Sequence, residues 1–400
     1  MTLSRRHLLS AAGAGLVPMM PGLNVAFGAS GAPTNTLVFL FLRFGMDGLQ
    51  MLAPADEAGY RDRRPTIGLR TTGGGSGVAL DTLDKVQFFL HPQALQFREM
   101  YKAGTLAFVH AAGVPTAQRS HFEVQDMAVR GMADEERYVD SGWMARHFQT
   151  RPGTASEFAA SSEGSPVNSA LRGVFGMVPT SQLDTMRYIV TEEREPLLRA
   201  LNSGNTAVAR SIRQTLDTVA VVRDKIQSLP PTPNPNYTFG ALSQTLQPLA
   251  RAIKLDVGVE LATVDFGGWD HHDQLPGLFA AQARELSNAL FAFTDDLGSA
   301  MNRVTVVAMT EFGRRVYQNG SNGTDHGAAS VMMVLGGGVK GGKIYGSWPG
   351  LKDGDLDNGD LRVTTDYRQV LAEVLQKRQG QAAVEGVFPT IAYKPLGLIT

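Results

Sequence analysis

The sequence predicts an α/β protein built on a mostly parallel central sheet. Apolar runs rich in β-branched and aromatic residues lack alternation, as strands buried on both faces of a parallel sheet do. Helical patterns separate those runs, so strands and helices alternate along the chain. The strand runs are Thr36 to Leu42, Thr105 to His110, Val257 to Val264, Val304 to Met309 and Val331 to Leu335. The helical patterns include Pro92 to Lys102, Phe122 to Arg130, Leu197 to Leu229, Gln274 to Leu297 and Asp366 to Lys377. Thr71 to Gly77 and Pro152 to Pro166 read as surface loops, and Pro230 to Pro235 as a stiff connector. With no strand pattern between the last two, residues 152–250 are expected to form a helical cap inserted into the sheet domain.

The first residues, Ser4-Arg5-Arg6-His7-Leu8-Leu9, precede a weakly apolar stretch from Ala11 to Met20 and small residues between Ala26 and Ala32. That order marks a twin-arginine export signal, placed at residues 1–29. The stretch is broken by Gly13, Gly15 and Pro18 and falls short of the roughly 20 apolar residues that span a bilayer, so no stable membrane anchor is expected. The expected location is the periplasm or the exterior, with the export machinery as a partner. The chain has no cysteine, so its fold must rest on packing alone. A net charge of -1 supplies no basic field for nucleic acid or anionic lipid.

In open α/β sheets ligands bind beyond the carboxyl ends of strands. The first run is followed by Arg43 to Gly48, with Asp47, and the second by His110 and then Gln118 to Glu123. Asp265 to Asp273 follows the third and Thr310 to Arg314 the fourth. Gly323-Thr324-Asp325-His326-Gly327 precedes the fifth. Carboxylates and imidazoles dominate, a donor set suited to one or two divalent ions such as zinc. Asp270-His271-His272-Asp273 is the strongest cluster; alternation in an extended segment would pair Asp270 with His272 and turn His271 away. Each candidate also has a structural reading. Asp47-Gly48 is a common turn pair. Glu311 can bridge to Arg314 or Arg315, and Ser120 with Glu123 matches a capping box. A helix start also attracts phosphate-like anions, so Ser120 can be cap, nucleophile or both. His91, His110 and His147 read as structural.

Several of these stretches are similar to a bacterial family known as domain of unknown function 1501. The matching residues are Asp47-Gly48-Leu49, His91-Pro92, Arg119-Ser120-His121-Phe122, Gly142-Trp143, Gly268-Trp269-Asp270 with His272, Glu311-Phe312-Gly313-Arg314, Thr324-Asp325-His326-Gly327 and Gly341-Gly342. The family resembles in turn the alkaline phosphatase and sulfatase superfamily, which implies a three-layer domain over residues 30–400. By that resemblance Ser120 is the nucleophile, Asp47 is the first-strand aspartate ligand, Asp270 and His272 hold one metal, Glu311 stands where a carboxylate holds the other, and His326 is the last histidine ligand. The chain departs from the superfamily at Phe312, where a histidine is usual, and in the single residue between Asp270 and His272, which leaves Asp265 as an alternative partner. Ser120 is not followed by the x-Pro-x-Arg needed for a formylglycine nucleophile.

These readings lead to an exported metal-dependent hydrolase of a phosphate or sulfate ester, small or polymeric. One or two ions of zinc, calcium or magnesium would be held by Asp47, Asp270, His272, Glu311 and His326, with Arg119 or Arg314 neutralising the substrate anion. The alternative is a non-catalytic surface or polymer-binding protein that keeps the fold, a reading Phe312 favours.

Overall fold

The computed structural model describes residues 23–27, 35–133, 139–150, 193–206, 240–256 and 258–400, with scattered positions between 170 and 237. The main sheet has eight strands: β1 (Leu23–Phe27), β2 (Thr36–Leu42), β6 (Leu106–Gly113), β7 (Val259–Phe266), β8 (Val304–Met309), β9 (Ser330–Gly336), β10 (Ile344–Tyr345) and β11 (Thr365–Asp366). They lie in the order β1-β7-β2-β8-β9-β6-β10, with β11 also on β6. A smaller antiparallel sheet, which the sequence pattern did not reveal, joins β3 (Leu52–Ala53), β5 (Val86–Leu90) and β4 (Val78–Leu83).

β2 pairs in parallel with β7 and β8, and β10 and β11 pair in parallel with β6. β9 is antiparallel to both β6 and β8. The fifth expected strand is therefore reversed, and the sheet is mixed but mostly parallel. β9 returns directly from the loop that leaves β8, so its amino end lies at the same sheet edge as the carboxyl ends of its neighbours.

β2 shows why the apolar runs do not alternate. Leu37, Phe39 and Phe41 enter one buried cluster, while Val38, Leu40 and Leu42 enter the other. Helices cover both faces. Their elements are α1 (Gly48–Met51), α2 (Ala58–Arg63), α3 (Leu95–Lys102), α4 (His121–Arg130), α5 (Trp143–Thr150), α6 (Glu195–Leu201), α7 (Ala241–Lys254), α8 (Leu275–Leu297) and α9 (Tyr367–Arg378). Phe97 of α3, Leu246 and Leu249 of α7 and Phe279, Leu286 and Leu290 of α8 pack on one face. Val124 of α4, Trp143 of α5 and Leu371 of α9 pack on the other. The buried positions of α8 recur every three or four residues, the single apolar stripe of a helix laid on a sheet.

Leu23–Phe27, within the stretch expected as an export signal, pairs with β7, whose outer backbone groups would otherwise lack a ladder partner. Of the expected cap, residues 152–169, 173–192 and most of 207–239 lie outside the described residues, as do the loop Pro152 to Pro166 and the connector Pro230 to Pro235. Its last part is a layer helix, because α7 buries Leu242, Leu246, Leu249 and Ile253. No helix among the described residues is long and apolar enough to cross a membrane.

His91 and His110 are buried as expected, and both rings are locked in the neutral form. His110 Nε2–H donates to the Leu52 carbonyl at 2.8 Å, while its Nδ1 accepts from Ala111 N at 2.8 Å. His91 Nδ1 accepts from Gln93 N at 3.2 Å. Burial pulls both from 6.5 to about 4. The unfolded chain therefore takes up these protons first as pH falls. Stability from this source is complete above about pH 6.5 and should decline toward pH 4, by roughly 1.4 kcal/mol per pH unit for each histidine. Urea midpoints measured from pH 7 to 4.5 should fall accordingly; a flat profile contradicts this account.

Candidate metal centre

Four loops meet at the carboxyl edge of the sheet. The β7 loop is anchored by Trp269, which is fully buried and donates from its indole nitrogen to Phe266 O at 3.1 Å. Beyond it the chain makes two tight turns, His271 N to Trp269 O and His272 N to Asp270 O. Asp270 and His272 meet at 3.1 Å, while His271 is buried against Trp269 and Phe279. The expected division of the cluster holds, though its cause is successive turns rather than an extended strand.

The β8–β9 connection folds back on itself through a backbone bridge between Arg314 and His326. Gly313 N bonds Ala328 O, and Gly327 N bonds Gly313 O. A Cβ on Gly313 would lie 1.8 Å from Ala329 O, and one on Gly327 would lie 2.4 Å from the Arg314 carbonyl carbon. Only glycine permits so close an approach.

His121, His272 and His326 are oriented alike. His121 Nδ1 is 2.7 Å from Glu311 Oε1, His272 Nδ1 is 3.1 Å from Asp325 Oδ1, and His326 Nδ1 is 2.8 Å from Arg119 O. Each Nδ1 therefore faces an oxygen acceptor, and each Nε2 turns inward. The three Nε2 atoms face one oxygen. Asp270 Oδ1 lies 3.4, 3.1 and 3.6 Å from Nε2 of His121, His272 and His326, and the Nε2 atoms of His272 and His326 are 3.0 Å apart. Donors around a tetrahedral zinc ion with bonds of about 2.05 Å stand about 3.3 Å apart. Among the described residues, His121, Asp270 and His326 form the group whose donor atoms lie mutually within 4.8 Å.

The electrostatics suit cation binding. Burial raises the Asp270 carboxyl, but Arg314, His121 and His272 outweigh it and hold the group below its ordinary range. Burial lowers His326, against the hydrogen bond to Arg119 O that raises it and with the charge of Arg314 assisting. Burial also raises Glu311, yet hydrogen bonds from His121 and Gln125 prevail and hold it below its ordinary range.

Of the expected ligands, the structure brings together Asp270, His272 and His326, and it adds His121. Two are placed elsewhere. Glu311 stands behind His121, with Phe44 N, Gln125 Nε2 and Thr310 Oγ1 also donating to its carboxylate. Asp47 lies in a buried ion pair with Arg64 at 2.8 Å and caps α1 through Gln50 N. Thr324 Oγ1 donates to it as well. Asp265, the alternative partner, pairs with Arg43 at 3.0 Å.

Both arginines are engaged by protein acceptors. Arg314 is fully buried: its guanidinium donates to Gly45 O, Phe44 O, Trp269 O, Thr324 O and Asp270 Oδ1. Arg119 pairs with Asp360 at 2.8 Å and donates to Thr116 O and Gln118 O. Its contribution to the centre is its carbonyl.

Ser120 is the residue before α4, but its side chain makes no cap bond, so the capping-box reading does not apply. It is also absent from the partners of Asp47 and Glu311 given above. The residue that sequence reasoning passed over is His121. Its signal was the spacing to Gln125, since residues four apart share a helix face, and both reach Glu311. Phe312, where a histidine was expected, is buried and stacks on His121 with ring centres 4.7 Å apart; it also lies against His326 at 5.0 Å.

No curated protein matches the chain. Among solved structures, the C-terminal periplasmic domain of EcEptC from Escherichia coli, in complex with Zn, is similar over 81% of this chain and 77% of that one. Identity is 9% and the TM-score 0.30, too low to bear on the argument. The family model described as a protein of unknown function (DUF1501) matches residues 107–382, well over half of the chain, and the chain belongs to that family.

Proposed function

We infer that the protein is an exported, metal-dependent hydrolase of phosphate esters with an alkaline phosphatase-like fold. Its metal, zinc by donor chemistry, would be held by His121, Asp270, His272 and His326. The observation that carries this reading is the convergence of three imidazole Nε2 atoms on one carboxylate oxygen, a nitrogen and oxygen donor set suited to a divalent ion. The carboxylate or carbonyl behind each ring is the outer support typical of metal-bound histidines.

When bound, the ion supplies Lewis acidity toward an ester oxygen and toward a nearby hydroxyl or water. Ser120 stands at the start of α4 with its hydroxyl free of the cap, where the unpaired N–H groups of the helix favour a phosphoryl group's charge. In the proposed reaction Ser120 Oγ bonds to phosphorus as the ester oxygen departs, and water then cleaves the Oγ–P bond. Glu311 holds the His121 ring in place, and Phe312 excludes water from behind the histidines. An unmodified serine fits this chemistry better than formylglycine-dependent sulfate cleavage.

Metal analysis of the purified protein with a panel of aryl phosphates and sulfates tests the reading. Ser120→Ala should retain its metal while losing phosphatase turnover by at least about a hundredfold. His326→Ala should lose both. A metal-loaded protein that cleaves no ester supports the binding-protein alternative, and failure to take up metal rejects the centre.

A further inference from the structure

We propose that the centre takes a single dication, and that Arg314 is a positioning residue supplying the second positive charge. The inference rests on the metal reading above. The two carboxylates that might seat another ion are already filled by protein donors. Asp47 receives Arg64, whose side chain has no exposed surface, together with Gln50 N and Thr324 Oγ1. Glu311 receives Phe44 N, His121, Gln125 and Thr310. A second ion at Asp47 would have to displace a buried guanidinium, which leaves no solvated place for that charge to go. Phe312 closes the side next to His121 and His326 with an apolar ring.

Arg314 meets the centre from below. Its Nη2 is 2.7 Å from Asp270 Oδ1, and its Nη1 is 3.5 Å from His272 Nε2. Its remaining bonds reach carbonyls at Phe44, Gly45, Trp269 and Thr324, three of the four loops that build the site. The guanidinium therefore balances Asp270 and keeps the loops assembled before any ion arrives. It also repels an incoming dication, which weakens binding and limits the centre to one ion. The arrangement favours a metal that exchanges over one that is permanently trapped.

Charge and scaffolding are separated by comparing Arg314→Met with Arg314→Lys. Both lose the planar fork that binds the carbonyls, but only lysine keeps the charge. Zinc affinity, read by competition with a chromophoric chelator, should be at least about tenfold tighter in the methionine variant than in the lysine variant. Equal affinities, or the reverse order, overturn the role of Arg314. Independently, the wild-type protein should bind one zinc per chain at saturation by mass spectrometry under native conditions. Two ions overturn the inference while leaving the metal reading intact, whereas no ion removes both. If neither variant folds, the wild-type stoichiometry still decides the single-ion claim.

Discussion

Arg64→Met is expected to lower the stability of the fold by about 3–5 kcal/mol. The Arg64 side chain has no exposed surface and that of Asp47 has 1%. Methionine of similar length would leave the aspartate charge in the interior with only Gln50 N and Thr324 Oγ1 as donors. Arg64 also donates to Val316 O and Arg315 O, so the segment after Arg314 loses its tether. Against a total stability of about 5–15 kcal/mol, this change alone can unfold the protein. Adding Asp47→Leu removes the stranded charge and should recover much of the loss, because a buried pair replaced by apolar groups is often neutral. Chemical denaturation of the two variants checks this. A loss below about 1 kcal/mol in the single variant would show that water reaches Asp47.

Asp270→Ala should lower zinc affinity at least about a hundredfold, more than removal of any supporting partner. Asp270 Oδ1 is the atom on which all three Nε2 atoms converge, and it carries the negative charge among the donors. Glu311→Gln provides the comparison. Glu311 acts on the centre only through His121 Nδ1, and loss of such outer support costs about ten- to hundredfold. Affinity should therefore fall in the order wild type, Glu311→Gln, Asp270→Ala. The opposite order would move the metal toward Glu311 and dismantle the site described above.

Much of the architecture could be read from the residues, because local physics determines it. Thr36–Leu42 and Val304–Met309 are strands at the expected bounds, since buried central strands need continuous apolar runs. The direction of β9 was not readable; an apolar run carries no record of which neighbour it pairs with. The small sheet escaped notice because β3 has two residues and β4 is largely exposed. His272, His326 and Asp270 are legible as polar residues at strand ends. The fates of Asp47 and Glu311 were not, because they depend on partners from distant elements. A buried carboxylate looks the same in sequence whether a metal, an arginine or a histidine N–H meets it.

The hairpin-like return between β8 and β9 places Glu311, Arg314, Asp325 and His326 on one continuous excursion of the chain. Their mutual positions are set by the Arg314–His326 bridge together with bonds to distant segments, Thr324 N to His271 O and Arg64 to Arg315 O and Val316 O among them. A residue gained or lost between Arg314 and His326 would put the bridge and these anchors out of step and draw the imidazole from its place. The ring would leave its Nε2 neighbours although every donor remained in the sequence. This short tract is therefore intolerant of length change, whereas ordinary surface loops accept insertions readily.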